Sequence, residues 1–452
     1  IGRREPLDCC EGRNKERRAR MKTVKVLILY SVIYYVAYCC KIAGFSVLSS
    51  ILFLSLAFFL FLTERKREQT ALPLTGLFAL GILGGEGIAV LQLSTLSSNW
   101  TREMWQSLFF SYFFFYFVYH FFRFFLMRKD TVVKVQKKEE KENIVVLKRF
   151  ISALLVISLL SFLVEASVLR YIPLFTTHTP HAYSAFHLKG LHYFTTVFVL
   201  VPSLIAYLTK MEKKIHVFSL VSFSLSLLLP ILLLSRFQLI FSIVLFVFTL
   251  LLEGYRIEKK KLCFLFLFLI ISYVLLTIER AHSVSYLLGI FSMKDKNMPI
   301  FFVQPYMYVA NNFENLNLLT KKIIKHSYGF RMAYPFFTLS GLKFFLKVPL
   351  SYPLYLTKKE LSTLTLLYDA YYDFGLIGVS VFSAILGGIA AMLQTFSKKE
   401  NPFILLIHAQ FAFYLLFSFF TTWFSNASSI FYFGVCLFFA ILWDWRTRRK
   451  RA

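Results

Sequence analysis

Apolar runs long enough to cross a membrane recur along the whole of this 452-residue chain. A bilayer has a hydrocarbon core of about 30 Å, which a helix of about 20 apolar residues spans. The apolar windows lie near residues 24–40, 42–62, 71–96, 104–127, 150–169, 190–209, 216–234, 237–254, 262–279, 370–396, 402–423 and 429–444. This pattern predicts an all-α polytopic membrane protein with about twelve transmembrane helices and a large external loop before the tenth span.

The composition agrees with a membrane protein and excludes a set of soluble domains. Hydrophobic residues make up 57% of the chain, and 54 Phe stand against only 24 acidic residues, so too little polar surface exists to cover a soluble core. Residues 21–452 are therefore predicted to form one multi-span membrane domain. The cysteines show no CxxC zinc pattern, the histidines no HExxH spacing, and no GxxxxGK[ST] loop is present, so neither a metal nor another cofactor is predicted.

The formal charge of +27 is explained by the distribution of basic residues between the predicted connections. Every second connection is basic, as the positive-inside rule requires of cytoplasmic segments. The basic segments lie at residues 65–67, 128–149, 210–214, 256–261, 398–399 and 446–451. Both termini are therefore predicted to be cytoplasmic, and the charge does not call for a nucleic acid partner.

Four segments fall outside the predicted spans. Residues 1–20 are polar and precede Met21, so we expect a non-native or unstructured extension. Residues 128–149 read as a cytoplasmic linker, and residues 170–189 as an external loop. Residues 280–369 form a second, much larger external loop that is neither apolar enough to span nor polar enough to be disordered. Long loops with their own apolar content are usually functional, so much of any site is expected in this one.

Four arginines lie at the predicted outer boundary. Arg170 and Arg280 end predicted spans, Arg236 lies in a tight turn between two spans, and Arg331 lies in the large loop. A guanidinium stays charged and presents a planar fork of donors, which suits a diphosphate or another oxyanion. The alternative for each is an arginine that extends from a helix end toward the interface.

Polar residues around the start of the tenth predicted span form the second candidate group. In the stretch Tyr371-Tyr372-Asp373-Phe374-Gly375, the carboxylate of Asp373 is a candidate general base, and its alternative role is to cap a helix while Gly375 eases close packing. Hydrogen-bonding and stacking groups for sugars are available nearby, although loop polarity alone also explains them. These are Asn312, Asn315, Thr363, Thr365 and Tyr372.

In these features the chain resembles the bacterial oligosaccharide repeat-unit polymerases, the Wzy-type O-antigen and capsular polysaccharide polymerases. The resemblance covers most of the chain and rests on topology and short motifs. The motifs are Arg170-Tyr-Ile-Pro-Leu-Phe, Ser235-Arg236, the aromatic and Asn stretch from Asn312 to Asn315, and Thr363-x-Thr365 leading into Asp373-Phe-Gly-x-x-Gly378.

The resemblance implies a glycosyl transfer at the outer face of the bacterial cytoplasmic membrane that needs no metal and no sugar nucleotide. A growing glycan would move from undecaprenyl diphosphate to the non-reducing end of the next lipid-linked repeat unit. Arg170 and Arg236, with Asp373, would act in catalysis, while Arg280 and Arg331 would help to bind the diphosphate. The partners implied are the undecaprenyl diphosphate-linked oligosaccharide, membrane lipid and a chain-length regulator protein.

Two other classes stay open at this point. An O-antigen ligase-like glycosyltransferase shares a many-helix body with a large external loop, differs in its acceptor, and would use a loop histidine such as His326. A lipid-linked oligosaccharide flippase or another transporter would instead place its charged residues in a central cavity at mid-span. The charges of this chain gather at the predicted outer boundary, which favours the transferases.

Overall fold

A computed structural model describes residues 7–126, 137–176, 182–278, 284–346, 352–396 and 401–451 of the chain. Within these residues the protein is helical, and the only β-type pairing is an isolated bridge between Ser94 and Met293. The prediction of an all-α fold is therefore confirmed for the described part.

Eighteen α-helices are described, some of which continue into one another. The first nine are α1 (Leu7–Ile42), α2 (Ser46–Glu68), α3 (Leu74–Phe78), α4 (Gly84–Ala89), α5 (Arg102–Leu126), α6 (Lys137–Leu169), α7 (Ala182–Ala185), α8 (Leu191–Thr195) and α9 (Val201–Glu212). The others are α10 (Val217–Leu232), α11 (Arg236–Leu252), α12 (Lys259–Ile278), α13 (Val284–Phe291), α14 (Ile300–Lys322), α15 (Phe330–Leu339), α16 (Tyr368–Phe396), α17 (Pro402–Leu416) and α18 (Ala427–Arg451).

Seven helical segments of the described chain are long and apolar enough to cross a membrane. They lie in α1, α2, α5, α6, α8 to α9, α16 and α18. Five shorter apolar segments coincide with the other five predicted windows, at Leu74–Ala89, Val217–Leu232, Arg236–Leu252, Cys263–Leu275 and Pro402–Leu416. The membrane class is thus supported, while the number of twelve spans and the orientation of the termini stay predictions.

Polar contacts tie the helix ends together at two opposite ends of the molecule. At one end, Lys41 near the end of α1 donates to the Val90 carbonyl just after α4 (2.7 Å). At the other, Arg67 of α2 donates to Thr23 of α1 (2.8 Å), and Arg123 of α5 donates to Thr395 of α16 (2.7 Å). We call the first of these the α14 end, because α14 packs there against the loop that joins α4 to α5.

Helix α16 packs closely along α5 and forms the centre of the core. A Cβ atom placed on Gly387 of α16 would lie 2.3 Å from the backbone oxygen of Phe115 in α5, so only glycine allows this approach. Large aromatic side chains of α5, such as Tyr112, Phe115 and Tyr116, are fully buried beside this contact. This contact holds the long apolar part of α16 against α5.

Helices of the structure extend into three of the segments predicted to lie outside the spans. Helix α1 begins at Leu7, inside the predicted extension 1–20, and α6 begins at Lys137, inside the predicted linker 128–149. The predicted loop 280–369 contains three helices, α13 to α15. The second half of α14 is buried on all sides, from Asn311 to Asn317, because it fills the space between α4, α5 and α16.

Candidate functional site

A break in α16 creates a polar cluster at the α14 end. Phe374 (φ −142°, ψ 21°) and Gly375 (φ 59°, ψ −141°) leave helical geometry, so the residues before them turn away from the long apolar part of the helix. Gly375 accepts the positive φ at no steric cost, since it has no Cβ. His326 lies against it, with Cε1 3.5 Å from the position that a Cβ would take. The predicted residues Tyr372, Asp373 and Gly375 all belong to this break.

Asp373 is completely buried and bound to the start of α15. Its Oδ1 accepts from the backbone N–H of Arg331 (3.2 Å) and from the hydroxyl of Ser327, and its Oδ2 accepts from the backbone N–H of Met332 (2.9 Å). A carboxylate placed on the first N–H groups of a helix satisfies donors that have no partner inside the helix. The structure therefore gives Asp373 a capping environment, on α15 rather than on its own helix; its role as a general base stays a prediction.

Arg331 of α15 is held in place by Asp369 and two tyrosine rings. Its Nε donates to Asp369 Oδ1 (2.5 Å), and its guanidinium carbon lies 4.7 Å from the ring centre of Tyr372 and 5.6 Å from that of Tyr368. The other carboxylate oxygen of Asp369 accepts from the hydroxyl of Ser425. This arrangement uses one edge of the guanidinium and fixes its plane.

The outer nitrogens of Arg331 are available to a ligand. No described residue accepts a hydrogen bond from Nη1 or Nη2, and the side chain is 14% exposed. Because Asp369 offsets the charge, these nitrogens act on an anion chiefly as oriented hydrogen-bond donors. A planar pair of N–H groups without an acceptor inside the protein suits the oxygens of a phosphate or a diphosphate.

His326 completes the cluster from the segment between α14 and α15. Its Nδ1 lies 3.1 Å from the backbone oxygen of Tyr372, and the ring of Tyr372 contacts the guanidinium of Arg331. A carbonyl only accepts, so Nδ1 is the donor in this contact, and Nε2 has no described hydrogen-bond partner. An imidazole in this form can accept a proton or a hydrogen bond.

Two further tyrosines extend the aromatic surface around Tyr372. The ring centres of Tyr352 and Tyr355 lie 5.8 Å and 6.0 Å from that of Tyr372. Loss of hydration and the nearby charge of Asp373 raise the pKa of Tyr352, while Arg331 acts in the opposite direction. Aromatic faces beside a cation are suited to packing against sugar rings or an apolar chain.

An apolar groove lies beneath the other end of α15. It encloses about 440 Å³ and is lined by side chains of α6, the α8 region, α15 and α18, among them Ile157, Phe194, Leu339 and Phe438. Leu339 follows Arg331 by eight residues on the same helix, a rise of about 12 Å. The polar cluster and the groove are therefore joined by α15, in an arrangement that fits an amphiphile with an anionic head and an apolar chain.

The asparagines predicted to bind sugars hold loops against the buried helix α14. Asn315 Nδ2 donates to the carbonyls of Leu361 and Thr363 (both 2.9 Å), and Asn312 Oδ1 accepts from the Thr363 hydroxyl (2.6 Å). Asn312 Nδ2 also donates to the Phe419 carbonyl (2.8 Å). Asn312 and Asn315 are fully buried, so these amides are engaged within the protein, and any contact with sugar stays a prediction.

Thr365 and Glu314 are buried near these asparagines. The hydroxyl of Thr365 has no described hydrogen-bond partner. Glu314 of α14 accepts from the Trp100 indole (2.8 Å) and from the backbone N–H of Ser98 (3.1 Å). Burial raises the pKa of Glu314, and these hydrogen bonds only partly oppose that effect. Glu314 thus anchors the α4 to α5 loop on α14 rather than facing the Arg331 cluster.

Arg236 lies at the α14 end as well. Its guanidinium carbon is 4.9 Å from the ring centre of Tyr273, and its Nη2 is 3.5 Å from the Tyr308 hydroxyl of α14. The next residue, Phe237, stacks on Trp423 (5.3 Å), two residues before Ser425, which binds Asp369. The residue after Arg236 therefore packs on the segment that carries Ser425, which belongs to the Arg331 cluster.

Arg170 is exposed just beyond α6, in left-handed conformation (φ 62°). The short 3₁₀ turn that follows it, Pro173–Phe175, contributes Leu174 to a small apolar cluster with Leu234 and Leu239 beside Arg236. Two of the four motifs that carry the resemblance thus come together in space. Arg280 lies outside the described residues.

One cluster at the opposite end has the ligand types of a metal site. Oxygen and nitrogen atoms of Glu64, Glu68 and His120 lie within 4.8 Å of one another. Glu64 is paired with Arg67 (3.6 Å) and with His120 (3.2 Å), and Glu68 is paired with Arg123 (2.8 Å). Because each carboxylate is already balanced by an arginine, the geometry is that of an ion-pair network that joins α2 to α5.

Three side chains of the Arg331 cluster were missed as site residues in the sequence. Ser327 and Ser425 hold the two carboxylates, and Asp369, which stands out only as one of few acids near a predicted boundary, orients Arg331. Serines in loops carry no sequence signal that separates these two from the rest. The pairing of Asp369 with Arg331 joins residues 38 positions apart, and no spacing rule predicts it.

Comparison with known proteins finds no matching family model, no similar curated protein and no similar solved structure.

Proposed function

We propose that this chain is a membrane glycosyltransferase that polymerises lipid-linked oligosaccharide repeat units. In the proposed reaction the bond between the anomeric carbon and undecaprenyl diphosphate breaks, and a bond from that carbon to a hydroxyl of the next lipid-linked unit forms. The hydroxyl proton passes to a base, and the diphosphate leaves as an anion. The site would face the outer side of the bacterial cytoplasmic membrane.

The observation that carries the proposal is the environment of Arg331. Asp369 and Tyr372 hold the guanidinium, and its two outer nitrogens have no described hydrogen-bond acceptor within the protein. Donors held in place before the reaction stabilise charge that develops on a leaving group without reorganisation at that moment. The apolar groove at Leu339 supplies a place for the isoprenoid chain attached to that diphosphate.

Other residues have supporting roles in this proposal. In the proposal Arg236 binds an additional phosphate or glycan oxygen; the next residue, Phe237, packs on Trp423. The rings of Tyr352 and Tyr355 provide faces for sugar rings. A chain-length regulator protein remains a proposed partner on the resemblance alone.

A second candidate, an O-antigen ligase-like transferase, is favoured by one observation. His326 lies in the same cluster as Arg331, and its Nδ1 contact with the Tyr372 carbonyl leaves Nε2 able to accept a proton from an acceptor hydroxyl. Both candidates release the same diphosphate. They differ in the acceptor, which for a ligase is not another molecule of the lipid-linked donor.

The test uses purified full-length protein in liposomes with the undecaprenyl diphosphate-linked repeat unit from cells that lack a working copy of this chain. No nucleotide or metal is added, and the products are separated by size. We expect a ladder of lipid-linked multimers. Unchanged single units would contradict a polymerase, and single units moved across the bilayer would instead indicate a transporter.

Arg331→Ala is expected to lower the initial rate of multimer formation at least tenfold. Arg331→Lys is expected to give a rate between those of Arg331→Ala and the wild type, because Lys retains the charge without the planar fork of donors. Arg256→Ala is the matched control, since Arg256 is exposed between α11 and α12, away from the cluster. Unaltered rates in both Arg331 variants, at equal protein levels, would remove Arg331 from the diphosphate site.

A further inference from the structure

A second groove opens between α1 and α5 at the α14 end of the molecule. It encloses about 570 Å³. One wall is formed by three tyrosines of α1, and the other by aromatic residues of α5. The aromatic lining residues are Tyr34, Tyr35, Tyr38, Trp105, Phe109 and Phe110. Its volume lies within the range of small-molecule and lipid sites.

A cation stands at the end of this aromatic groove. Arg102, the first residue of α5, is exposed, and no described residue pairs with its side chain. Its neighbour Glu103 is also exposed, but adjacent residues of a helix do not face each other. Gln106, one turn further along α5, adds an amide to the same wall.

The groove has the chemistry of a site for a phosphate-headed lipid. Tyr34 and Trp105 are buried in the walls, whereas Tyr35 is 66% exposed at the outer edge of the groove, so an apolar chain can enter there from the side. An arginine at the end of such a groove complements a phosphate, to which a guanidinium can donate two parallel hydrogen bonds. Tyrosine and tryptophan also favour the boundary between lipid chains and head groups.

We infer that the groove between α1 and α5 binds a second polyprenyl diphosphate, with its head at Arg102 and its chain between the aromatic walls. The identity of this lipid rests on the proposed function, because a reaction that joins two lipid-linked units must hold two polyprenyl chains at once. The Arg331 cluster and the groove at Leu339 hold the chain whose diphosphate leaves. The α1 to α5 groove holds the chain that keeps its diphosphate.

The experiment counts lipids bound to the full-length protein in detergent by native mass spectrometry, with undecaprenyl diphosphate as the probe. The wild type is expected to bind two molecules. Arg102→Ala and Gln106→Trp, which remove the cation and fill the groove respectively, are each expected to bind one, with at least a tenfold weaker second affinity. Arg331→Ala is also expected to bind one, and the Arg102→Ala, Arg331→Ala double variant none.

Lys296→Ala is the control, because Lys296 is an exposed cation at the same end outside both grooves. Two molecules bound to both Arg102→Ala and Gln106→Trp would overturn the inference. Displacement of the second molecule by an equal concentration of phosphatidylglycerol would also overturn it, as a general anionic-lipid site. The inference would also be overturned if another protein co-purified with the wild type by binding in the groove and did not co-purify with Gln106→Trp.

The two proposals fail separately in these measurements. Two bound lipids in the wild type and one in Arg102→Ala, without any multimers in the liposome assay, would leave the groove assignment standing and reject the polymerase. Multimer formation by the wild type, together with two bound lipids in both groove variants, would support the polymerase and reject the groove assignment.

Discussion

Asp373 is buried at the break in α16, and every described hydrogen bond to its carboxylate comes from Ser327 or from the first turn of α15. One chemical group therefore both fixes α15 and stands beside the ring that supports Arg331. The neighbouring Asp369 differs, because its oxygens contact two side chains, Arg331 and Ser425. At the residue scale, Asp373 therefore caps α15, whereas Asp369 orients the guanidinium of Arg331.

Replacement of Asp373 separates its two candidate roles. In Asp373→Asn an amide N–H group faces backbone donors, so the cap on α15 is weakened and a buried polar group is left without a partner. Together these effects are expected to lower the free energy of unfolding by about 1–3 kcal/mol. We expect a lower unfolding temperature in detergent, with multimer formation falling in step with the folded fraction.

Ser327→Ala is the matched comparison, because it removes one of the same hydrogen bonds and leaves the carboxylate in place. A smaller loss of thermal stability is expected from it. An Asp373→Asn protein with unchanged unfolding temperature and at least a hundredfold lower turnover would instead identify Asp373 as the general base.

At the scale of the elements, the close packing of α16 on α5 positions the helix whose first turns carry Asp369 and Asp373. Two adjacent glycines of α16 have very different surroundings. A Cβ on Gly387 would meet the Phe115 backbone oxygen at 2.3 Å, whereas a Cβ on Gly388 would have its nearest neighbour, Val118, at 3.9 Å. The close approach therefore depends on one of the two positions.

Gly387→Ala is expected to lower thermal stability by about 1–3 kcal/mol, because the backbone of α5 must move to admit the methyl group. Gly388→Ala is expected to be neutral or to stabilise by up to about 1 kcal/mol, since alanine favours a helix and the space is open. Thermal unfolding of both variants in the same detergent measures the difference. Equal stabilities would show that α5 and α16 are not packed this closely.

At the scale of the whole molecule, the Arg331 cluster and the groove between α1 and α5 both lie at the α14 end, away from the ion-pair network of Glu64 and Glu68. A reaction between two lipid-linked molecules needs both diphosphates in the same head-group layer. The shared end meets that requirement. If the basic segments are cytoplasmic, this end faces outward.

This orientation is tested by placing single cysteines at the two ends of an otherwise cysteine-free protein. A membrane-impermeant thiol reagent is expected to label Lys296→Cys in intact spheroplasts, because Lys296 lies at the α14 end and is exposed. Arg256→Cys, exposed at the opposite end, is expected to react only after the membrane is permeabilised. The reverse labelling pattern would place the proposed site on the cytoplasmic side.

Much of the fold could be predicted because hydrophobicity alone specifies it. Apolar windows located all seven segments long enough to span, and the five shorter apolar helices coincide with the remaining windows. The buried half of α14 could not be predicted in this way. Its asparagines and Glu314 look like loop residues, since burial becomes tolerable only when partners such as Leu361 and Trp100 supply the missing hydrogen bonds.

The sequence by itself determined that this is a helical membrane protein, and it singled out Arg331, Tyr372, Asp373 and Gly375 as unusual polar or flexible positions. The contacts that these residues make with one another and with their neighbours were determined only by the tertiary structure. The break in α16, the cap on α15 and the pairing of Arg331 with Asp369 join segments distant in the chain. The periodicity of hydrophobic residues along the sequence indicates which face of a helix contacts solvent or lipid. The hydrogen bonds between side chains depend instead on which helices pack together in the folded protein.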